Sequence, residues 1–475
     1  MRTLKLLAIF CLGLAPWLNA QERAVAFIDV SVVPMDRERV LPHQTVVVVD
    51  GRITQVAPAS TSKVPHDAQQ IDASGKFLMP GLADMHVHFM RSPAGESQPF
   101  RATDSSLQTT RPASASADYE RENEAFALLF LANGITTVRN MWGNPAIDAF
   151  AKAVDSHRAL GPHIYSVGPI NDGNPPVWEG SRVVETQQQA VEAVRSDKRA
   201  GYIAFKVYSR LSKEAYNAII AAARKEGLPV VGHVPSAVGL SGAIAARQDS
   251  IEHLTGFLDA LQPEGSPAQG KSISELLRDV DLTKLPPIVQ AIKAADIWNC
   301  PTLVVNDLPR TEATWLDERS FVPPSLIVRY AGMYPDRAAS VDPRGTPQGR
   351  ALYVTMLNAL HAGGAHLLLG TDTPKPGTLP GFSLHDELKY FVAAGMRPYE
   401  AIRAGTVDAA KFLHQENTFG AVAVGLRGDL LLVAANPLED VTNVSKLAGV
   451  MVNGHWYTQK ELHDRLNSLR ATYRQ

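Results

Sequence analysis

The sequence predicts an α/β fold: a (β/α)8 TIM-type barrel carrying a small discontinuous β-sandwich made from both chain ends. Three observations lead there. Eight short apolar segments alternate with helical patterns through the middle of the chain. Both ends carry β-branched runs around Asp-Gly or Asn-Gly turns. No Gly-rich phosphate loop follows any strand, which disfavours a doubly wound sheet.

Residues 1–20 read as a signal peptide. Arg2 and Lys5 precede the apolar run LLAIFCLGLAPWL, and Ala20 is a plausible cleavage position. The run is short for a membrane span and contains Pro16. A periplasmic or secreted protein without a membrane span after processing is therefore expected. Cys300 is then the one remaining cysteine, so no intrachain disulfide is available. Its setting, WNCPTL, is that of a buried, inert thiol.

Residues 21–78 form the first part of the sandwich, with TVVVVDGRITQVAP as a hairpin turning at Asp50-Gly51. Residues 79–414 form the barrel. Its strands are predicted in MPGLADMHVH, GITTVRNMW, HIYSVGPI, YIAFKVYS, PVVGHVP, DSIEHL, WNCPTLVV and HLLLGTD. Between the fourth and fifth lies a helix with Ser212 as N-cap and Gly227 as terminator. Segments 91–118 and about 258–345 read as insertions at the catalytic face, the first also compatible with disorder. Residues 415–475 complete the sandwich, with a second hairpin turning at Asn453-Gly454.

The chain has 475 residues, 45% of them hydrophobic, and a formal net charge of −2 without a run of like charges. Bulk electrostatics therefore offers nothing to nucleic acid, and small-molecule chemistry is the better prospect. His86 and His88 share parity on a strand, about 6.6 Å apart, so both side chains can reach one metal. His233, His253 and Asp372 end three further strands, at the end where barrel catalysis occurs. Lys206 sits inside a hydrophobic strand, where an ammonium is costly unless paired or chemically changed. It is either salt-bridged to an aspartate or converted by CO2 to a carbamate that bridges two metals, and two histidines on either side favour the carbamate.

These motifs, together with SLHDEL, GMRPYEAIRAGTVDAAKFL and GDLLLVAANPLED, resemble the amidohydrolase superfamily over essentially the whole mature chain. The branch most similar is the imidazolonepropionase-like one that includes exported Xaa-Pro dipeptidases (prolidases). The resemblance implies two divalent ions, zinc by preference. His86, His88 and Asp372 would hold one and His233 and His253 the other, with carboxylated Lys206 and a hydroxide between them. Asp372 would shuttle the proton. Leu426-Arg427-Gly428 departs from the family pattern in the sandwich, where no effect on chemistry is expected.

Around this shell, Tyr208 shares parity with Lys206 and is a donor for the scissile carbonyl or a substrate carboxylate, unless it only roofs the core. Arg139 and Asn140 are candidates to bind a carboxylate, with salt bridging in the core as the alternative. His385 is expected to support the loop after Asp372, while His163, His361, His366 and His414 read as structural. The leading reading is a dipeptidase, carboxypeptidase or N-acyl-amino-acid hydrolase acting on a substrate with a free carboxylate. A cyclic-amide, lactone or carbamate hydrolase is the alternative on the same site. A catalytically silent binding protein is the alternative from another class, and the intact metal positions argue against it. A homo-oligomer is compatible with either enzyme reading.

Overall fold

The structure is a computed structural model that describes residues 24–89, 115–306, 317–324 and 342–473, apart from positions 267 and 376. The expected signal peptide and most of segment 91–118 lie outside the described residues.

The two chain ends join in one hydrogen-bonded sheet of eight strands. Its order is His455–Thr458, Leu447–Val452, Leu430–Val433, Phe77–Pro80, Val25–Val32, Leu41–Val49 and Arg52–Pro58, with Gln69–Asp72 also against Val25–Val32. Leu431 pairs with Met79 and Leu432 with Leu78, so the C-terminal segment is held by the N-terminal one. Both hairpins turn where Asn or Asp precedes Gly, because both turn residues need positive φ: 48° and 70° at Asp50-Gly51, 52° and 77° at Asn453-Gly454. Side-chain alternation then divides the burial. Leu430 and Leu432 enter a core within the sheet region with Val25, Phe27 and Val48. Leu431 and Val433 enter the main core on the opposite face. Each such leucine contributes roughly 1.5–3 kcal/mol.

At Gly81 the chain leaves this sheet for the parallel strands. A Cβ there would lie 2.0 Å from Thr136 Oγ1, so only glycine fits. The parallel strands are Leu82–Val87, Ile135–Asn140 and His163–Ser166 in one sheet. Ile170–Asp172, Phe205–Val207, Val230–Gly232, Ser250–Glu252, Trp298–Cys300 and His366–Leu367 lie in a second, with Arg182–Val183 at its edge. Backbone bonds connect the two sheets at both junctions. Ile203 N donates to Ser166 O at 3.0 Å, and Met85 N donates to Leu369 O at 2.8 Å. Parallel sheets with intervening helices in this order are consistent with a TIM-type barrel. The helix Lys213–Glu226 has the expected cap, Ser212 Oγ accepting from Ala215 N at 3.1 Å, and ends at Gly227 with φ 62°.

The segment about 258–345 is not one insertion. Leu285–Ala294 is the helix that precedes the strand Trp298–Cys300, and the chain pairs in the sheet before continuing toward the helix Pro347–Gly363. The strand is the one predicted in WNCPTLVV, and Pro286 and Pro287 do not break the helix before it because they lie in its first turn, where proline is tolerated. Among the described residues no helix is long and apolar enough to cross a membrane.

Candidate metal centre

The strand ends bring His86, His88, Lys206, His233, His253 and Asp372 to one place. His88 Nε2 lies 3.1 Å from Asp372 Oδ1, and His86 Nε2 lies 3.5 Å from the same oxygen. His253 Nε2 approaches the other oxygen, Oδ2, at 3.7 Å. The His86 ring centroid is 5.3 Å from that of His88 and 4.5 Å from that of His253, which is 5.0 Å from His233. Backbone bonds fix these positions: Asp372 N donates to His86 O, His233 N to Val207 O and His253 N to Cys300 O. His253 and Asp372 adopt φ of 60° and 56°, a strained region for residues with a side chain, costing of order 1–3 kcal/mol each.

Three of the four imidazoles are oriented through Nδ1. His86 Nδ1 lies 2.7 Å from Glu252 Oε2, His233 Nδ1 2.9 Å from Ser209 Oγ, and His253 Nδ1 2.6 Å from Thr302 Oγ1. The tautomer with the proton on Nδ1 satisfies all three contacts and presents the Nε2 lone pair to the centre. Burial holds His86, His233 and His253 well below the ordinary imidazole range and His88 down to about 4. Neutral imidazole is the form that binds metal. Burial also pushes the Lys206 ammonium down to about 7, against the upward pull of Asp372 and Glu252. For Asp372 burial acts upward, but Lys375, His253 and His86 hold the carboxyl well below its usual range.

The donor set fits a divalent metal. His86, His88 and Asp372 offer ligand atoms within 4.8 Å of one another, all buried. His86 Nε2 makes no hydrogen bond among the described residues, although it is buried and faces the other ligands. A cation satisfies such an atom; an apolar core does not. The centre opens into a cavity whose walls include Trp142, Ile170, Trp178, Tyr208 and Lys375.

The model of the amidohydrolase family matches residues 77–457. The chain belongs to that family. It is 24% identical to ochratoxinase from Aspergillus niger over 407 residues, covering 77% of this chain and 71% of the relative. It is 27% identical to imidazolonepropionase from a Caulobacter species over 277 residues, covering 52% and 69%. The solved structure of a Xaa-Pro dipeptidase with bound methionine superimposes with a TM-score of 0.65 at 21% identity, covering 92% of this chain and all of the other.

In this amidohydrolase two expected roles, those of Arg139 and His385, need correction. Arg139 does not face the cavity as a carboxylate anchor. It is fully buried, with Nη2 2.9 and 3.0 Å from the two Glu252 oxygens, Nε donating to Met85 O and Nη1 to Ser250 Oγ. A guanidinium buried in this way, with all three nitrogens donating to the core, is not presented to a substrate. Asn140 is likewise buried, its Oδ1 accepting from Phe89 N at 3.1 Å. His385 lies beside Asn133, away from the centre, in a cleft shared with Gln459 and His463. In the loop after Asp372, Leu379 N donates to Ser383 Oγ at 2.8 Å, and on the same helix as Ser383, Glu387 accepts from Leu303 N and Val304 N at 2.9 and 2.8 Å, bracing the turn that carries Thr302.

Glu252 and Glu387 were both legible. Glu252 is a carboxylate in a three-residue buried strand, the same anomaly as Lys206. Glu387 falls on the apolar stripe of its helix with Leu384, Leu388 and Phe391. Tyr208 stacks on His233, centroids 3.9 Å apart, and its oxygen accepts from Trp178 Nε1 at 2.6 Å. His163, His361 and His366 each face a carboxylate away from the centre. Cys300 is buried behind His86 and Glu252, and burial pushes its thiol well up, away from reactivity.

Proposed function

We propose that this chain is an exported metal-dependent hydrolase of amide C–N bonds. Its preferred bond lies next to a free C-terminal carboxylate, as in an Xaa-Pro dipeptide or an N-acyl amino acid. The observation that carries the reading is the set of four buried, neutral imidazoles gathered with Asp372 around Lys206. Family membership and the likeness to a Xaa-Pro dipeptidase support it. We read the parallel strands as a closed (β/α)8 barrel and the sheet of the chain ends as its accompanying sandwich.

In this reading His86, His88 and Asp372 would hold one zinc ion and His233 and His253 a second. Lys206 would join this set as a carbamate, its neutral amine nitrogen bonding to the carbon of CO2 and losing a proton to solvent. Bound divalent ions supply Lewis acidity for the scissile carbonyl and a water acidified to a pKa of about 7. Asp372 moves the proton. Its Oδ1 lies toward His86 and His88 and its Oδ2 toward His253 and Lys375, and this carboxylate would take the proton given up by water and return it to the leaving nitrogen. Tyr208, in the same cavity wall, orients the substrate's carbonyl or carboxylate.

The test is metal content combined with a screen of dipeptides and N-acyl amino acids. Purified mature protein should carry close to two equivalents of zinc. Lys206→Ala should lose most of the metal and the activity, with partial return when a short carboxylic acid is added. Full metal and normal rate in that variant would remove the carbamate. Turnover of lactones alone would replace the reading with cyclic-ester hydrolysis.

A further inference from the structure

We propose that Glu387 is a positioning residue for the metal centre, holding the His253 imidazole in place for the second ion through Thr302. The proposal rests on the two-ion hydrolase reading and goes beyond it by naming what keeps one ion's histidine in position.

His253 is held in a strained backbone conformation. Its φ is 60° and that of Leu254 is 51°, so two left-handed residues directly follow the strand Ser250–Glu252. Such residues cost of order 1–3 kcal/mol each and persist only where their surroundings over-determine them. One short segment supplies that support twice. Cys300 O accepts from His253 N at 2.9 Å, and Thr302 Oγ1 lies 2.6 Å from His253 Nδ1. This segment is strained in its turn, because Thr302 is β-branched and has a φ of 48°.

The sheet anchors the segment at one end, where Cys300 is in register with Glu252. Beyond Cys300 the chain leaves the strand, and Glu387 takes over. Its Oε1 accepts from Leu303 N at 2.9 Å and its Oε2 from Val304 N at 2.8 Å. These amides open the turn Leu303–Asn306, where backbone donors lack partners within the turn. Thr302, Leu303, Val304 and Glu387 are all buried, so water is a poor substitute for the carboxylate. With both oxygens engaged, Glu387 fixes the orientation of the turn and the direction of Thr302 Oγ1. Its own base is rigid: on the helix Phe382–Ala393, Leu384, Leu388 and Phe391 lie in the main core.

The two ions do not depend equally on this brace. One is assigned three side chains, His86, His88 and Asp372, which already lie together. The other is assigned His233 and His253 besides Lys206, and only His253 leans on Thr302. Loosening His253 is therefore felt at one ion and not at the other.

The experiment measures the two zinc dissociation constants of the full mature protein by stepwise chelator competition. Glu387→Gln, which turns an amide N–H toward a backbone N–H, should weaken one ion by ~10–100-fold and the other by less than about threefold, the scale of losing the partner behind a ligand. Thr302→Val should weaken the same ion, and Thr302→Ser, which keeps the hydroxyl, should restore it. The double variant Glu387→Gln/Thr302→Val should bind no more weakly than Thr302→Val alone, because Glu387 acts through Thr302. Additive losses in the double variant, or equal weakening of both ions, would overturn the proposal. If Glu387→Gln does not fold, the Thr302 variants decide, and native zinc binding in Thr302→Val would overturn it. Failure of the underlying reading shows in native protein instead. Two bound zinc ions without hydrolysis of any dipeptide or N-acyl amino acid would refute the hydrolase and leave the brace standing, whereas fewer than two would remove both.

Discussion

At the C-terminal ends of the parallel strands, four imidazoles, His86, His88, His233 and His253, share two carboxylates, Asp372 among them and Glu252 behind His86. At the start of the third strand, His163 lies between two carboxylates, Asp155 at 3.0 Å and Asp429 at 3.4 Å, and Asp429 also pairs with Arg427. The first cluster is buried; in the second Asp429 is buried, His163 is largely covered and Asp155 is exposed. Burial alone lowers every one of these imidazoles. In the first cluster burial prevails, reinforced by neighbouring cations, and the histidines stay neutral. In the second burial is outweighed by Asp429 and Asp155, and His163 is raised. Burial would likewise raise Asp429, yet Arg427 and His163 hold it down to about 2. The ratio of anions to imidazoles, not burial, separates a ligand set from an ion pair.

The comparison breaks first at Asp372. Asp372→Asn should lower kcat by ~10²–10⁴-fold, the scale of general acid–base catalysis, with metal content assayed in the same preparation. Near-normal turnover with metal retained would remove the proton shuttle from this residue. At the other end, Asp429→Asn should cost about 3 kcal/mol in denaturant melts, since it leaves Arg427 and a raised His163 without their shared anion. Metal content should be unchanged. Lost metal in that variant would show that the two ends are not independent.

A smaller effect is expected at Glu252. Glu252→Gln removes the charge that orients His86 and neutralises Arg139, so metal affinity in chelator competition should fall by ~10–100-fold. Unchanged affinity would assign Glu252 to packing alone. The smallest effect is in pH dependence. Asp429 has a depressed folded pKa, so its contribution is fully present above its ordinary value near 4 and is lost as pH falls through about 2. The stability gap between native protein and Asp429→Asn, both stripped of metal, should therefore begin to shrink below about pH 4. A gap that stays constant down to pH 3 would contradict the ion pair.

What sequence periodicity can carry, it carried here. Asp-Gly and Asn-Gly turns, the Ser212 cap and the eight apolar segments are local, because φ preference and strand alternation act within a few residues. His86, His88, His233, His253 and Asp372 were legible as a set because each ends a strand of recognisable pattern. The partners of these residues were harder to read. Nothing local says that Arg139 crosses to Glu252, 113 positions away, or that Glu387 reaches back 84 positions to brace the turn beside Thr302.

By itself, then, the sequence determined the strand and turn pattern and the residues able to bind metal. Only the tertiary structure decided which charges are already spent. Arg139 and Lys375 are both cations in the sequence, and the fold pairs the first with buried Glu252 and the second with buried Asp372. The physical reason is that a charge is available to a ligand only if the fold has not already paired it, and such pairing joins residues far apart along the chain.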